Sequence, residues 1–337
     1  MPTAWVAFHV TERCSLQCLH CLRDPGRPPA DLPAALVERV LDEAVALHRV
    51  EHASFTGGEP LLHPDLAAVV DAAVRRGLGW HLVTSGRELD RLLALLEGDP
   101  RRRAALTAVD LSLDGATAAV HDRIRGDGSH RAVLAAALAL RAREVRFNVQ
   151  MTVHAGNAAE VEALALEAAT LGAASVSFNL AMPTGTPADV ELWQSREGWA
   201  AVRDRVERLA EVLAIPVRAP EGFQRPQPFH VCAPWRSEVL HVDPHGRLTL
   251  CCQLAGAPGG DEDVVADLAS TPLREAHRLL LERVHRLERE RLDTCAAGAR
   301  GWDALQCNWC ARVHGRPHWV DGGSAGPRAQ GAGGGRR

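Results

Sequence analysis

The chain alternates between short apolar segments rich in β-branched residues and longer stretches with the hydrophobic period of a helix. The apolar segments are 4–10, 52–56, 80–84, 108–113, 145–153 and 175–180. The helical stretches between them are 33–48, 65–76, 88–96, 131–143 and 159–171. This alternation predicts an α/β fold with a parallel sheet and right-handed crossovers. Six units favour a partial (β/α)6 TIM-like barrel over an open doubly wound sheet, and no glycine-rich dinucleotide motif follows the first segment.

Three cysteines follow the first predicted strand, in the order Cys14-Ser-Leu-Gln-Cys18-Leu-His-Cys21. Soft sulfur ligands select iron–sulfur clusters, and three thiolates this close together can hold three irons of a cubic cluster. The fourth iron would then be open to a substrate or cofactor. A zinc knuckle that lacks one ligand and a chance grouping are the alternative interpretations.

Three further motifs follow the next predicted strands: TGGEP at 56–60, TSG at 84–86 and SLDG at 112–115. Active sites of parallel barrels lie at the carboxyl ends of the strands. We therefore expect these motifs and the cysteines to share one rim of the barrel.

The joint pattern resembles the radical S-adenosylmethionine (SAM) superfamily, whose signature is this cysteine spacing after the first barrel strand. The resemblance implies a [4Fe–4S] cluster whose open iron binds the amino and carboxylate groups of SAM. It also implies that an electron from the cluster cleaves SAM to methionine and a 5′-deoxyadenosyl radical, which removes a hydrogen atom from the substrate.

The resemblance assigns the SAM amine to Gly57, Gly58 and Glu59. Glycines let a backbone approach a ligand closely, and a glutamate can accept from an ammonium group. A simple strand-to-helix turn is the alternative interpretation of these residues.

The pattern HDxxR after SLDG resembles peptide-modifying members of the superfamily, in which the serine and the arginine hold the SAM carboxylate. This implies Ser112 and Arg125, with Arg123 as a second candidate, since an arginine fork pairs well with a carboxylate. Asn148 and Gln150 alternate with apolar residues on the fifth strand, so they either touch ribose or substrate, or form a satisfied polar pair in the core.

The remaining six cysteines lie beyond residue 230, near a predicted hairpin at 239–250. They resemble the twitch or SPASM extension of radical SAM enzymes, in which cysteines bind auxiliary [4Fe–4S] clusters. A full SPASM module needs at least seven, so we expect the shorter twitch form with one auxiliary cluster. Its expected ligands are Cys232, Cys251, Cys307 and Cys310, and a zinc site on the same four residues is the alternative.

Cys252 and Cys295 are then surplus. Cys252 is expected to point to the opposite face of its strand from Cys251, so that both do not ligate the same iron. Each is either a core residue or a hydrogen-atom donor to a substrate radical, as a cysteine is in radical SAM epimerases, and Cys295 could replace one of the four ligands.

We expect a radical SAM barrel at 1–220, a small α+β twitch/SPASM-like auxiliary-cluster domain at 221–320, and a glycine-rich disordered tail at 321–337. The net charge of −4 gives no basic field for nucleic acid. The absence of lysine and tyrosine excludes Schiff-base lysine chemistry and tyrosyl radicals. No apolar leader or membrane span is found, and clustered cysteines favour metal over disulfides, so a cytoplasmic protein is predicted.

The motif set favours a peptide maturase that acts on a ribosomally made, post-translationally modified peptide. A small-molecule dehydrogenase or epimerase acting on a sugar or aminocyclitol is the alternative within the family. A non-catalytic iron–sulfur or zinc protein is the alternative from another class. We expect a reductant such as flavodoxin or ferredoxin. Because the chain begins at the first barrel strand, a ribosomal substrate would need a separate peptide-recognition protein.

Overall fold

A computed structural model describes residues 4–23, 28–181, 192–223, 229–254, 261–298 and 304–316. Its strands are β1 (Trp5–Thr11), β2 (His52–Gly57), β3 (Gly79–Thr84), β4 (Leu106–Ser112), β5 (Phe147–Val153), β6 (Val176–Leu180), β7 (Val217–Arg218), β8 (Val239–Val242), β9 (Arg247–Thr249) and β10 (Val264–Asp267). The tail predicted at 321–337 lies outside the described residues.

The α-helices in the same ranges are α1 (Ala34–Leu47), α2 (Leu66–Val74), α3 (Leu89–Glu97), α4 (Pro100–Ala105), α5 (Ala118–Arg125), α6 (Ser129–Ala142), α7 (Val161–Leu171), α8 (Arg196–Val212), α9 (Leu273–Ala296) and α10 (Gln306–Val313). No helix in the described parts of the chain is long and apolar enough to cross a membrane.

All ten strands belong to one sheet, in the order β10-β9-β8-β1-β2-β3-β4-β5-β6-β7. Strands β1 to β7 are parallel and lie beside one another in chain order, which confirms the predicted βα units. Their carboxyl ends therefore meet at one rim, where the sequence motifs follow.

The barrel strands bury one face completely and the other only in part. On β1, Val6, Phe8 and Val10 are fully buried, and β5 alternates between buried and half-buried residues. The buried face packs under the helices, and the half-buried face lines the barrel lumen. Asn148 and Gln150 lie on this second face, so the lumen is polar.

Helix α1 illustrates how the outer layer forms. Pro33 lies in extended backbone immediately before it, where its missing N–H has no consequence. Val37, Val40, Leu41 and Ala44 then recur at helical spacing, and all four are buried. Burying each large side chain stabilises the fold by about 1.5–3 kcal/mol.

Among the elements that the sequence patterns did not predict are α4, α5 and β7. Asp99 caps α4 by accepting a hydrogen bond from Arg101 N, and Pro100 follows at the first helical position. Thr117 caps α5 in the same way. Both capping residues can be recognised in the sequence and could have predicted the starts of these helices. β7 has only two residues, too few to show the alternation of a strand.

The C-terminal strands continue the barrel sheet rather than forming a sheet of their own. β8 pairs with β1 in parallel, and β9 and β10 follow in antiparallel pairing. The β8–β9 pair confirms the predicted hairpin, and Gly246 supplies the positive φ of +78° at its turn. The domain boundary near residue 220, which stays a prediction, therefore divides a chain whose sheet is continuous.

Candidate active site

The loop after β1 carries Cys14, Cys18 and Cys21, all partly exposed. Cys14 Sγ accepts a hydrogen bond from Leu16 N (3.4 Å), and Cys21 Sγ accepts one from Arg23 N (3.4 Å). Burial raises the pKa of the Cys18 thiol to about 11. The loop therefore offers three sulfur donors, two of them already facing N–H groups, and metal loading would release their protons. This donor set fits an iron–sulfur cluster.

The cysteine loop is tied to the segment that follows it in the chain. Glu12 N donates to Ala30 O (2.9 Å), and Ala30 N donates to the Glu12 carboxylate (2.9 Å). Arg23 donates to Glu12 O (2.7 Å) and to Leu16 O (3.3 Å). These bonds hold both ends of the loop against the rim of the barrel.

Gly57 and Gly58 bring the end of β2 against the start of this loop. A Cβ on Gly57 would lie 2.4 Å from Thr11 O, and one on Gly58 would lie 2.3 Å from Arg13 O. Gly57 also has a φ of +136°. We expected these glycines to admit a ligand. The structure shows that they admit the backbone of the cysteine loop, so substitution there would move the loop.

Glu59 is 1% exposed, and other residues of the rim surround its carboxylate. Oε1 accepts from Thr84 Oγ1 (2.8 Å) and Leu61 N (3.4 Å), and Oε2 accepts from Ser85 N (3.0 Å) and Ser85 Oγ (2.7 Å). Burial raises the pKa of Glu59 in spite of these donors. Four donors use the roughly four acceptor positions of a carboxylate. The GGE and TSG motifs are thus one connected unit.

A buried cluster of charged groups lies at the end of β4. Asp114 is fully buried, and its Oδ2 accepts from His20 Nε2 (2.6 Å) and from Arg125 Nε. Its Oδ1 accepts from Thr152 N (2.8 Å). Burial alone would raise the pKa of Asp114, but Arg125 and His20 hold it well below its usual range. A permanent ion pair therefore joins the SLDG and HDxxR motifs.

Arg125 is held by one edge of its guanidinium. Its Nε donates a hydrogen bond to Asp114 Oδ2. Its Nη1 and Nη2 have no hydrogen-bond partner among the described residues. Arg123, the second candidate, donates instead to Gly156 O (2.9 Å) in the loop after β5. Of the two arginines, Arg125 is the one whose side chain enters the buried cluster.

The other two named residues of the HDxxR motif, His121 and Asp122, have local partners. His121 Nδ1 accepts from Asp114 N (3.0 Å), and burial lowers its pKa to about 4, so it is neutral. Asp122 accepts from Gly128 N (2.9 Å) and His130 N (2.7 Å). His121 and Asp122 therefore fix the loops around Arg125.

Asn148 and Gln150 meet at a third carboxylate, Asp110, which the sequence reasoning missed. Asn148 Nδ2 donates to Asp110 Oδ1 (2.7 Å) and Gln150 Nε2 to Asp110 Oδ2 (2.8 Å). Ser175 Oγ donates to Asn148 Oδ1 (2.9 Å). The satisfied polar group that we weighed for this pair is present, and the predicted contact of Asn148 with SAM stays a prediction. Ser112 lies opposite Gln150 at the end of β4.

His20 and His81 are further residues that the sequence reasoning passed over. His20 sits inside the cysteine motif, which was the available signal for its position at the rim. His81 shares a hydrogen bond with Ser54 (2.8 Å) on the neighbouring strand. Asp110 could have been noticed as a lone carboxylate in an apolar strand.

The C-terminal cysteines predicted as ligands come together in the structure. Cys307 and Cys310 lie one turn apart on α10, and both carry pKa values raised by burial and by the nearby Cys232 and Cys251 thiols. Burial, with Cys251 alongside, raises the pKa of Cys232 to about 12. Gly222 packs against this group, since a Cβ there would lie 2.2 Å from Cys307 Sγ.

The prediction that Cys251 and Cys252 point to opposite faces is wrong. β9 ends at Thr249, so both cysteines lie in the following turn, where the alternation of a strand no longer applies. The Cys251 and Cys252 thiols lie close enough together to shift each other's pKa, that of Cys251 downward and that of Cys252 upward. Cys295 is buried on α9.

Within the described ranges, no three His, Cys, Asp or Glu side chains converge tightly enough to hold a single metal ion. Clustered thiolates are the donor set of [4Fe–4S] clusters and of structural zinc sites alike, so the donor chemistry of the C-terminal group fits both.

Comparison with known proteins agrees with this geometry. The family model of the Radical SAM superfamily matches residues 8–168. The chain is 31% identical to PqqA peptide cyclase of Gluconobacter oxydans (strain 621H) over 268 aligned residues. The aligned region covers 74% of this chain and 70% of that relative. The chain belongs to the radical SAM superfamily. Its members are enzymes that use a [4Fe–4S] cluster and SAM, so the predicted family, enzyme class and these two cofactors are confirmed.

A second relative of this radical SAM enzyme is mycofactocin maturase MftC of Mycobacterium ulcerans (strain Agy99). The two are 32% identical over 202 residues, 58% of this chain and 52% of the relative. The chain thus spans about half the length of that maturase.

Solved structures support the fold of the radical SAM enzyme. Streptococcus suis SuiB bound to SAM matches with a TM-score of 0.65 at 12% identity, over 81% of this chain and 65% of that one. The anSMEcpe structure with AdoMet and a Kp18Cys peptide matches with a TM-score of 0.67 at 13% identity, over 98% and 94%. At these identities the likeness concerns the fold, and it confirms the partial barrel.

Proposed function

We propose that this radical SAM enzyme is a peptide maturase that modifies a residue of a ribosomally made peptide. The similarity to PqqA peptide cyclase over 70% of that relative is the observation that carries the proposal. Two proteins of the same fold support it, since SuiB has been solved with its precursor peptide SuiA and anSMEcpe with a peptide. The polar lumen below the rim suits the amide groups of a peptide.

We propose Cys14, Cys18 and Cys21 as the ligands of the [4Fe–4S] cluster. When bound and reduced, this cluster would supply the electron that cleaves SAM into methionine and a hydrogen-abstracting 5′-deoxyadenosyl radical. The protein's own residues hold SAM in one orientation by pairing with its carboxylate and its amine.

Arg125 is the residue proposed for the SAM carboxylate, with Ser112 as a further donor. Asp114 holds Arg125 through Nε, and a guanidinium fixed by one edge can pair with a carboxylate through its terminal nitrogens. The buried Asp114 also balances the charge of Arg125 before SAM arrives.

Gly57, Gly58 and Glu59 are proposed for the SAM amine. Because Thr84, Ser85 and Leu61 use the acceptor positions of the Glu59 carboxylate, the backbone carbonyl groups of this motif are the better acceptors for an ammonium group. Glu59 then acts by holding the motif against β3.

We further propose one auxiliary [4Fe–4S] cluster on Cys232, Cys251, Cys307 and Cys310, within a twitch-like region at 221–320. The mutual electrostatic influence of these four thiols supports this ligand set. Cys252 is a candidate replacement ligand, because it lies beside Cys251 and the two thiols shift each other's pKa. We propose a flavodoxin or ferredoxin as the reductant, and a separate peptide-recognition protein as a further partner.

One anaerobic experiment tests this function. The reconstituted enzyme, with SAM and dithionite, is incubated with a short peptide encoded beside its gene, and the peptide is analysed by mass spectrometry. We expect 5′-deoxyadenosine and a peptide whose mass has changed. Formation of 5′-deoxyadenosine with an unchanged peptide, together with conversion of a sugar or aminocyclitol, would favour the small-molecule alternative. No SAM cleavage at all would favour a non-catalytic protein.

A further inference from the structure

A single buried arginine connects both segments that carry the C-terminal cysteines. Arg291 lies on α9 and is 2% exposed. Its Nη1 donates to His230 O (2.7 Å), two residues before Cys232, and its Nη2 donates to Ala304 O (2.9 Å), three residues before Cys307. One guanidinium therefore fixes the spacing of the two segments.

Gln306 makes a second connection between the same segments. It is fully buried, and its Oε1 accepts from the backbone N of Cys232 (2.7 Å). Its Nε2 is buried and has no hydrogen-bond partner among the described residues. A buried donor without a partner is destabilising, so such a group normally faces an acceptor. Next to Cys307, the acceptors that the proposed cluster offers are sulfur atoms.

The charge of Arg291 also lies close to the cysteines. Burial lowers the pKa of this arginine, and the nearby Cys295, Cys310, Cys232 and Cys307 thiols act in the opposite direction. A guanidinium stays protonated under these conditions because its ordinary pKa is above 12. The cysteine group therefore has a fixed positive charge beside it.

We propose that Arg291 and Gln306 are positioning residues of the auxiliary cluster, which hold the Cys232 and Cys307 segments together and raise the reduction potential of the cluster. The inference rests on the proposed cluster at Cys232, Cys251, Cys307 and Cys310. Hydrogen bonds to the sulfurs and nearby charge are among the factors that set the potential of an iron–sulfur cluster. An N–H donor and a cation both stabilise the more negative, reduced state.

The test uses the full chain with Cys14, Cys18 and Cys21 all changed to alanine, so that iron and paramagnetic signals report the auxiliary site alone. In this background, Gln306→Glu keeps an oxygen for Cys232 N, removes the N–H donor and adds negative charge. Arg291→Gln removes the cation. Both are expected to lower the midpoint potential in a redox titration followed by electron paramagnetic resonance.

Arg291→Lys and Arg289→Gln are the matched controls. The lysine keeps the charge, so its potential is expected near that of the parent, with some loss of iron because one of the two carbonyl contacts is gone. Arg289 is exposed on the same helix, and its change is expected to alter neither iron content nor potential.

The outcomes separate the two proposals. A parent that binds about one zinc and no iron would overturn the auxiliary cluster and, with it, the role of both residues. Iron-loaded Gln306→Glu and Arg291→Gln proteins with the parent's potential would overturn the role of these residues alone. Lowered potentials with the Arg289→Gln value unchanged would support it.

Discussion

Replacing Asp114 by asparagine tests whether the buried ion pair at the end of β4 prepares Arg125 for its ligand. In the structure Asp114 is fully buried and contacts His20, Arg125 and the backbone N of Thr152. Asparagine keeps the size of the side chain and one oxygen for Thr152 N. It removes the negative charge that balances Arg125.

Removing one partner of a buried ion pair costs about 3–5 kcal/mol, because it leaves an uncompensated charge. Since asparagine retains the contact with Thr152, we expect the lower end, a loss of about 3 kcal/mol in the free energy of unfolding. We also expect the SAM dissociation constant to rise at least about tenfold, since a hydrogen bond to a charged group contributes about 1.5–3 kcal/mol.

The assays are equilibrium unfolding in urea and SAM titration of the enzyme with its cluster oxidised, so that SAM is bound but not cleaved, both under anaerobic conditions. Asp42→Asn is the matched control, because Asp42 pairs with Arg76 at the surface (Arg76 Nε to Asp42 Oδ1, 2.8 Å) and is largely exposed. Its loss is expected to leave the stability almost unchanged, because exposed ion pairs contribute little. An Asp114→Asn protein as stable as the control, with unchanged SAM binding, would refute the proposed role of the ion pair.

The stabilisation by Asp114 has a defined pH dependence. Its pKa is depressed in the folded protein, so the stabilisation is fully present above the unfolded pKa of about 3.9 and is lost only as the pH falls below it. The difference in unfolding free energy between the parent and Asp114→Asn should therefore be constant from about pH 5 upward. A difference that grows between pH 6 and pH 8 would point to another group.

Three further substitutions probe the rest of the site. Cys18→Ala should abolish 5′-deoxyadenosine formation and lower the iron content from about eight to about four per chain, as measured by chromatography and iron analysis. Cys310→Ala should spare SAM cleavage but lose the peptide product in mass spectrometry, and full turnover would contradict a working auxiliary site. Gly58→Ala should lower the melting temperature and the iron content, because its Cβ would lie 2.3 Å from Arg13 O. Gly98→Ala is its control, since that Cβ would meet nothing closer than 3.1 Å.

The sequence alone determined the order of the elements and the location of the chemistry. The period-two and helical patterns depend on neighbouring residues, so the six barrel strands, their helices and the 239–250 hairpin could be predicted. The motifs at the strand ends followed from the same topology, since all parallel strands end at one rim.

The tertiary structure decided which side chains meet. Glu59 meets Ser85 across the crossover between β2 and β3, and Asp114 meets His20 from the loop after β1, and no local pattern contains either contact. Cys251 and Cys252 lie in a turn beyond the end of β9, where side chains no longer alternate between two faces, and their thiols come close together. Side-chain partners distant in sequence depend on how the helices pack across the sheet, and only the folded chain fixes that packing.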